Sequence, residues 1–171
     1  MSNTPSLAPA PLSQPRAGSA LRLPQADSLS AFGWRVSRQF SQSRREGGQL
    51  ALLWVEIDVV PAPGAPALGD KERDTLIQTV SLRLRNRVRG ADEVVRMGDC
   101  SFAVLLLAAG APEARLVEQR LLQALRGTYD VEGCLPQVSV RLGVAVFPHA
   151  GQTGAELAEA ARDNVPPAAS R

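Results

Sequence analysis

The sequence predicts an α/β fold in which a mixed sheet of about five strands forms a split β-α-β core flanked by helices. The longest apolar runs, residues 50–55 and 102–109, have the length of buried strands and are too short to span a membrane. Segments with helical spacing alternate with these runs. The predicted order is helix, strand, helix, hairpin, helix, strand, helix.

The chain length of 171 residues suits one domain with a tail. Residues 1–26 are rich in Pro, Ser and Ala without periodicity, which predicts a disordered tail. The domain is predicted over residues 27–165 and a short C-terminal tail over 166–171.

Composition excludes several classes of function. A net charge of +2 and 4% aromatic residues do not suit a nucleic-acid surface, so no nucleic-acid partner is expected. Two cysteines cannot build a disulfide framework, and one histidine excludes a His-rich metal site. No signal peptide and no membrane segment are recognised. The expected compartment is the cytoplasm.

The first half of the domain is predicted from helix caps and one apolar run. Asp27 and Ser28 are candidate N-caps of a helix reaching about residue 46, and Gly47 and Gly48 end it. Residues 50–60 then predict a central strand buried on both faces.

The second half follows from helical spacing and turn residues. A Pro/Gly-rich loop covers 61–69, and Leu76, Ile77, Val80 and Leu84 predict a helix over about 71–88. Pro112 marks the start of another helix. Strands over 93–96 and 101–107 are predicted to form a hairpin. The helix that starts at Pro112 is predicted to end at about 125. A strand over 138–147 and a helix over 154–163 complete the prediction.

Carboxylates near the end of the first strand are the first candidate site. Glu56 and Asp58 form either a solvated acidic pair or, with Asp99, a residual metal site. Cys100 is a weak candidate for a zinc or redox centre, because no other Cys or His lies near it in sequence.

Five stretches that together span about residues 27–163 carry a recognisable series of motifs. They are 27–35, 52–58, 74–89, 96–102 and 138–145. In this order they resemble motifs of the GGDEF family of diguanylate cyclases, namely D-x-L-T-G-L-x-N-R, a strand ending D-x-D, G-D-x-x-L, R-x-G-G-D-E-F and v-T-v-S-i-G-v-A. This resemblance implies a nucleotidyl-cyclase, ferredoxin-like core and an enzyme that joins two GTP molecules into cyclic di-GMP with magnesium.

The departures from this family fall mainly on its catalytic residues. Glu56 replaces the first metal-binding Asp, and Cys100 replaces the metal-binding third residue of G-G-D-E-F. A thiol is a poor magnesium ligand. Gly98 is kept, but Asp99 replaces the second glycine and puts a negative charge against phosphates. Ser101 removes a further carboxylate.

Other departures concern GTP binding. Pro61 stands where the family has a lysine, and the guanine-binding Asn has no counterpart near Gly64. Asp74 is the candidate for the second guanine contact. The C-terminal Y-x-A-K segment is absent after residues 162–164. We therefore expect no enzyme activity and no cofactor, with Mg²⁺ needed only if residual cyclase activity exists.

Arg89 and Asp92 keep the spacing of the family's inhibitory R-x-x-D site, which the resemblance implies as a cyclic di-GMP site. A guanidinium can bind phosphate or guanine oxygens, and a carboxylate can accept from guanine N–H groups. We expect both residues to be exposed at a helix end, with Arg120 as a secondary contact. The alternatives are a salt bridge between Arg89 and Asp92 and a merely exposed Arg120.

The sequence thus predicts a degenerate GGDEF domain that acts as a cyclic di-GMP receptor or regulatory module. Its expected partners are cyclic di-GMP and a signalling protein, with a possible homodimer and no membrane. The alternatives are a weak diguanylate cyclase and a protein-interaction domain that binds no nucleotide.

Overall fold

The computed structural model describes residues 22–169. The predicted fold class is confirmed, since helices cover both faces of a five-stranded sheet. Within the described residues the elements are α1 (Leu29–Arg35), α2 (Ser37–Glu46), β1 (Leu50–Val60), α3 (Asp70–Asn86), β2 (Glu93–Arg96), β3 (Ser101–Leu107), α4 (Ala111–Leu125), β4 (Gly127–Thr128), β5 (Gln137–Phe147) and α5 (Gly154–Asp163).

Strand β1 lies at the centre of the sheet, whose order is β2-β3-β1-β5-β4. All pairings between these strands are antiparallel, so the predicted mixed sheet is corrected to an antiparallel one. The registers place Glu56 opposite Ser101 of β3 on one side and opposite Arg141 of β5 on the other. The C-terminal end of β1 is therefore enclosed by residues of both neighbouring strands.

Side-chain alternation along β1 divides the core into two layers. Leu53 and Val55 face α3 and α4, whereas Leu52 and Trp54 face α1, α2 and α5. All four are buried. A strand that is apolar on both faces was predicted from the continuous run 50–60, and burial on both faces confirms it.

The helix predicted from residue 28 to 46 is two helices. Ser28 is the N-cap, as predicted, and its Oγ accepts a hydrogen bond from the Ala31 N–H at 3.0 Å. The chain departs from helical geometry at the buried Val36, where ψ is 7°. No helix within residues 22–169 is long and apolar enough to cross a membrane.

The prediction of a disordered tail is wrong for residues 22–26. The Arg96 N–H donates to the Pro24 carbonyl at 2.8 Å, and the Ala26 N–H donates to the Arg96 carbonyl at 3.0 Å. Gln25 thereby forms a parallel bridge with Arg96 at the β2 edge. Backbone hydrogen bonding to an open edge carries no side-chain periodicity, so the sequence did not reveal it. The rest of the predicted N-terminal tail and residues 170–171 lie outside the described residues.

Candidate functional site

Glu56 is held by two neighbours at the end of β1. The Trp54 indole Nε1–H donates to Glu56 Oε1 at 2.6 Å, and the Ser101 hydroxyl donates to Oε2 at 2.9 Å. Trp54 lies two residues away on the same strand face, while Ser101 is the register partner on β3. Both oxygens of this carboxylate therefore already accept hydrogen bonds from the protein.

Asp58 forms a bidentate ion pair with Arg141. Arg141 Nε donates to Oδ2 at 2.7 Å, and Nη2 donates to Oδ1 at 3.2 Å. Arg141 Nη1 also donates to the Pro166 carbonyl at 2.9 Å, which fixes the guanidinium. The hydrogen bond with Asp58 and the nearby negative charges of Asp58 and Glu56 raise the pKa of Arg141. Asp58 is thus neutralised by a cation that stays charged.

The β2–β3 turn places Gly98 and Asp99 in solvent and Cys100 at partial burial. Arg96 Nε donates to the Gly98 carbonyl at 3.0 Å, and its Nη2 donates to the Asp99 carbonyl at 3.2 Å. Burial raises the pKa of the Cys100 thiol. A thiol is in any case a poor ligand for Mg²⁺, which prefers oxygen ligands.

The residues predicted as a residual metal site do not suit Mg²⁺. Within residues 22–169, no three His, Cys, Asp or Glu side chains come together in a way that could hold a metal ion. Glu56 and Asp58 are engaged by Trp54, Ser101 and Arg141, and Mg²⁺ needs accessible oxygen ligands in octahedral geometry. The side chains at the end of β1 therefore do not fit the metal ion that the family resemblance implies.

Asp74 lies exposed on the first half of α3, close to the segment 22–25. A cleft of about 360 Å³ separates them and is lined by Asp74, Arg22, Leu23 and Arg96 among others. Leu23 packs partly against the core beneath α3. The position that the resemblance assigned to guanine therefore faces the chain's own N-terminal segment.

Asp92 is buried, which corrects the expectation that both residues of the R-x-x-D motif are exposed. Its side chain is 2% exposed, against 65% for Arg89. Asp92 Oδ1 accepts from the Leu107 N–H and Oδ2 from the Arg89 N–H, each at 3.0 Å. Arg89 Nε lies 3.5 Å from Oδ2, so the alternative of an internal salt bridge is present. Asp92 ties the loop after α3 to the end of β3.

Arg120 lies exposed on α4 and contacts the loop after α3. Its Nη1 donates to the Arg87 carbonyl at 3.3 Å. Arg89 Nη2 donates to the Leu107 carbonyl at 2.6 Å from the same loop. Arg89 and Arg120 therefore belong to one exposed surface, and Asp92 lies beneath it.

Arg141 and Trp54 are the site residues that sequence reasoning missed. In the stretch 138–145, Arg141 stands where the family pattern v-T-v-S-i-G-v-A has Ser. That departure was visible, but its meaning depends on the β1–β5 register, which brings Arg141 beside Glu56 and Asp58. In the sequence, Trp54 cannot be distinguished from an ordinary core residue. Its role is visible only in the structure, where its indole N–H donates to Glu56.

Fold and site together define a nucleotidyl-cyclase-like domain with altered carboxylates at the end of its central strand. Residues 30–169 match the family model described as "Diguanylate cyclase, GGDEF domain". The chain therefore belongs to the GGDEF family, and it is a diguanylate cyclase-like domain.

Similar proteins come from Pseudomonas aeruginosa. The chain is 30% identical to diguanylate cyclase TpbB over 128 residues, covering 74% of this chain and 29% of TpbB. It is 28% identical to the bifunctional diguanylate cyclase/cyclic di-GMP phosphodiesterase MucR, covering 72% of this chain and 18% of MucR. The chain thus spans less than a third of these relatives. The crystal structure of the TpbB GGDEF domain matches with a TM-score of 0.70 and 26% identity, covering 82% of this chain and 86% of that domain.

Proposed function

We propose that this GGDEF domain lacks diguanylate cyclase activity and serves as a regulatory module in cyclic di-GMP signalling. The observation that carries the proposal is the bidentate Arg141–Asp58 ion pair, with Nε–Oδ2 at 2.7 Å. It places a cation beside Glu56, the position that the family resemblance implies as a metal ligand. The relatives TpbB and MucR, both named as diguanylate cyclases, supply the signalling context.

Electrostatics at the end of β1 support the loss of metal binding. A divalent cation would meet the Arg141 guanidinium at close range, and like charges repel strongly where water is partly excluded. Displacing Arg141 would break three hydrogen bonds, two to Asp58 and one to Pro166. Binding Glu56 would similarly compete with its bonds from Trp54 and Ser101.

The phosphate turn supports the same proposal. Asp99 adds an exposed negative charge in the turn that would approach the triphosphate, and Cys100 supplies an uncharged thiol instead of a carboxylate. Pro61 supplies no cation. GTP therefore lacks both the metal bridge and the lysine that the family resemblance implies.

Calorimetry with GTP in the presence of Mg²⁺ tests the proposal. We expect a Kd no tighter than about 0.1 mM. The matched comparison is the double variant Arg141→Ser with Cys100→Asp, which removes the competing cation and adds a carboxylate. That variant should bind Mn²⁺ more tightly than the wild type, measured by paramagnetic resonance. Micromolar GTP binding by the wild type would contradict the proposal.

A second candidate function is a cyclic di-GMP receptor at Arg89 and Arg120. It is favoured by the exposure of both guanidinium groups on one surface, with Asp92 fixing the Arg89 backbone beneath them. Guanidinium groups are well suited to the two phosphates and the guanine acceptor edges of this ligand. The buried Asp92 would act by positioning Arg89, and guanine contacts by its carboxylate would require the loop to open.

Calorimetry with cyclic di-GMP tests this candidate. Micromolar or tighter binding is expected, and Arg89→Ala should weaken it by about 2 kcal/mol because a charge-assisted contact is lost. Added salt should also weaken binding at this exposed surface. Arg126→Ala, an exposed arginine after α4, is the control and should bind as the wild type does. Identical null titrations of all three proteins would reject the receptor function.

A further inference from the structure

Trp34 is the most exposed of the large apolar side chains in residues 22–169, at 81%. It lies at the end of α1, beside a groove of about 340 Å³ between α1–α2 and the start of α5. The groove has apolar and small residues in its lining, among them Phe40, Gly33 and Ala155. A groove of this volume can accept an apolar side chain from another molecule.

The groove is built by a close crossing of α1 and α5. A side chain at Gly154 would meet the Gly33 Cα at 3.0 Å and the Val36 Cγ2 at 2.5 Å. Because the two backbones lie so close, the groove beside them is shallow, and Trp34 and Phe40 line it. The groove is therefore a fixed feature of the helix packing.

The surface beside the groove is basic. Residues 29–46 contain four arginines and one glutamate, and of these arginines Arg35 pairs with Glu93. Hydrogen bonds at helical spacing continue through Val36, so Arg38 and Arg45 follow Trp34 on one helical face. Both arginines are exposed, and Arg44 lines the groove.

We propose that this surface, the Trp34 groove with Arg38, Arg44 and Arg45, docks an acidic amphipathic segment of a partner protein. An apolar side chain of the partner enters the groove against Trp34, and its carboxylates pair with the arginines. Tryptophan and arginine are the residues that most often dominate binding energy at protein interfaces. The lining of the groove includes neither the carboxylates at the end of β1 nor Arg89.

A protein partner fits this surface better than a membrane does. A helix that lies on a bilayer needs a broad apolar face. The outward side of α2 instead carries polar residues, including Ser37, Ser41 and Gln42. Trp34 is the single large apolar group there, so the surface offers one anchor point with surrounding charge, as in peptide recognition.

The test uses the full chain and a fluorescein-labelled synthetic peptide of Glu and Leu at helical spacing with one Phe. Anisotropy should show saturable binding that weakens at least tenfold in Trp34→Ala and in Arg38→Glu/Arg45→Glu. A peptide with Gln in place of Glu should also bind at least tenfold more weakly. The matched controls are Leu116→Ala, at an exposed position on α4, and Arg126→Glu, at the exposed residue that follows α4. Both should bind the peptide as the wild type does.

Intrinsic fluorescence gives an independent readout. The chain has two tryptophans, and Trp54 is buried, so a peptide-induced blue shift reports Trp34. Three results would overturn the proposal. These are absence of saturable peptide binding up to millimolar concentration, binding that Trp34→Ala leaves unchanged, and preferential binding of anionic phospholipid vesicles. A dimer in sedimentation that Trp34→Ala dissociates would assign the groove to a second copy instead.

Discussion

Single residues decide the chemistry of this domain. Glu56 and Asp58 occupy the positions expected from the family pattern, yet each is bound by the protein itself. The acidic residues were predictable from sequence, because they lie near the end of the apolar run that forms β1. Their partners were not, because Arg141 is 83 residues from Asp58 along the chain. Only the antiparallel register of β5 on β1 brings the two together.

Asp92 was expected to be exposed, but it is buried and holds the loop after α3 through two hydrogen bonds. Asp92→Ala would leave the N–H groups of Arg89 and Leu107 without their acceptor. We expect a loss of about 2 kcal/mol in the free energy of unfolding. Two fully buried N–H groups without acceptors would cost more, but water can reach the Arg89 N–H. Urea unfolding measures it.

The control for this measurement is Asp74→Ala, which removes an exposed carboxylate and should change stability by less than about 0.5 kcal/mol. Equal unfolding midpoints for the wild type and Asp92→Ala would show that the buried Asp92 contacts contribute nothing.

Cys100 provides a test by pH. Burial raises its pKa, so the reactive thiolate becomes populated only at higher pH than for an ordinary thiol. In a Cys134→Ser background, alkylation by iodoacetamide should still accelerate above about pH 8.5, the ordinary thiol pKa. A free cysteine-containing peptide is the reference. A rate that levels off near neutral pH would mean that Cys100 is a thiolate and could bind a metal ion.

At the scale of elements, local patterns predicted well and irregular segments did not. Leu50–Val60, Glu93–Arg96, Ser101–Leu107 and Gly154–Asp163 have the predicted bounds. Strand β4 was missed because two residues, Gly127 and Thr128, carry no periodicity. The segment 22–26 was missed for a related reason, since composition indicated disorder while backbone hydrogen bonds to β2 decide its place.

The crossing of α1 and α5 gives a prediction at this scale. Gly154→Ala would push a methyl group into Val36 and Gly33, so the two helices must separate. We expect a loss of about 1–3 kcal/mol in the free energy of unfolding, the usual cost of overpacking. Thermal unfolding followed by circular dichroism measures it. Gly90→Ala is the control, because a Cβ added at Gly90 would have no neighbouring atom within 4 Å and its φ is not positive. Equal losses in both variants would argue against the helix crossing as the cause.

At the scale of the whole molecule, the GGDEF fold is retained while its catalytic end is altered. The sheet order and both core layers are complete, and residues 30–169 match the family model. A fold of this kind can support binding without catalysis, as proposed for the surface of Arg89 and Arg120 and for the Trp34 groove.

Incubation of the domain with GTP and either Mg²⁺ or Mn²⁺, followed by chromatographic detection of cyclic di-GMP, tests the central claim most directly. The GGDEF domain of TpbB serves as the comparison protein under the same conditions. Because Arg141 neutralises Asp58 and the turn lacks a metal-binding carboxylate, no cyclic di-GMP should form at any protein concentration. Product that increases with protein concentration and disappears in Glu56→Ala would contradict the account.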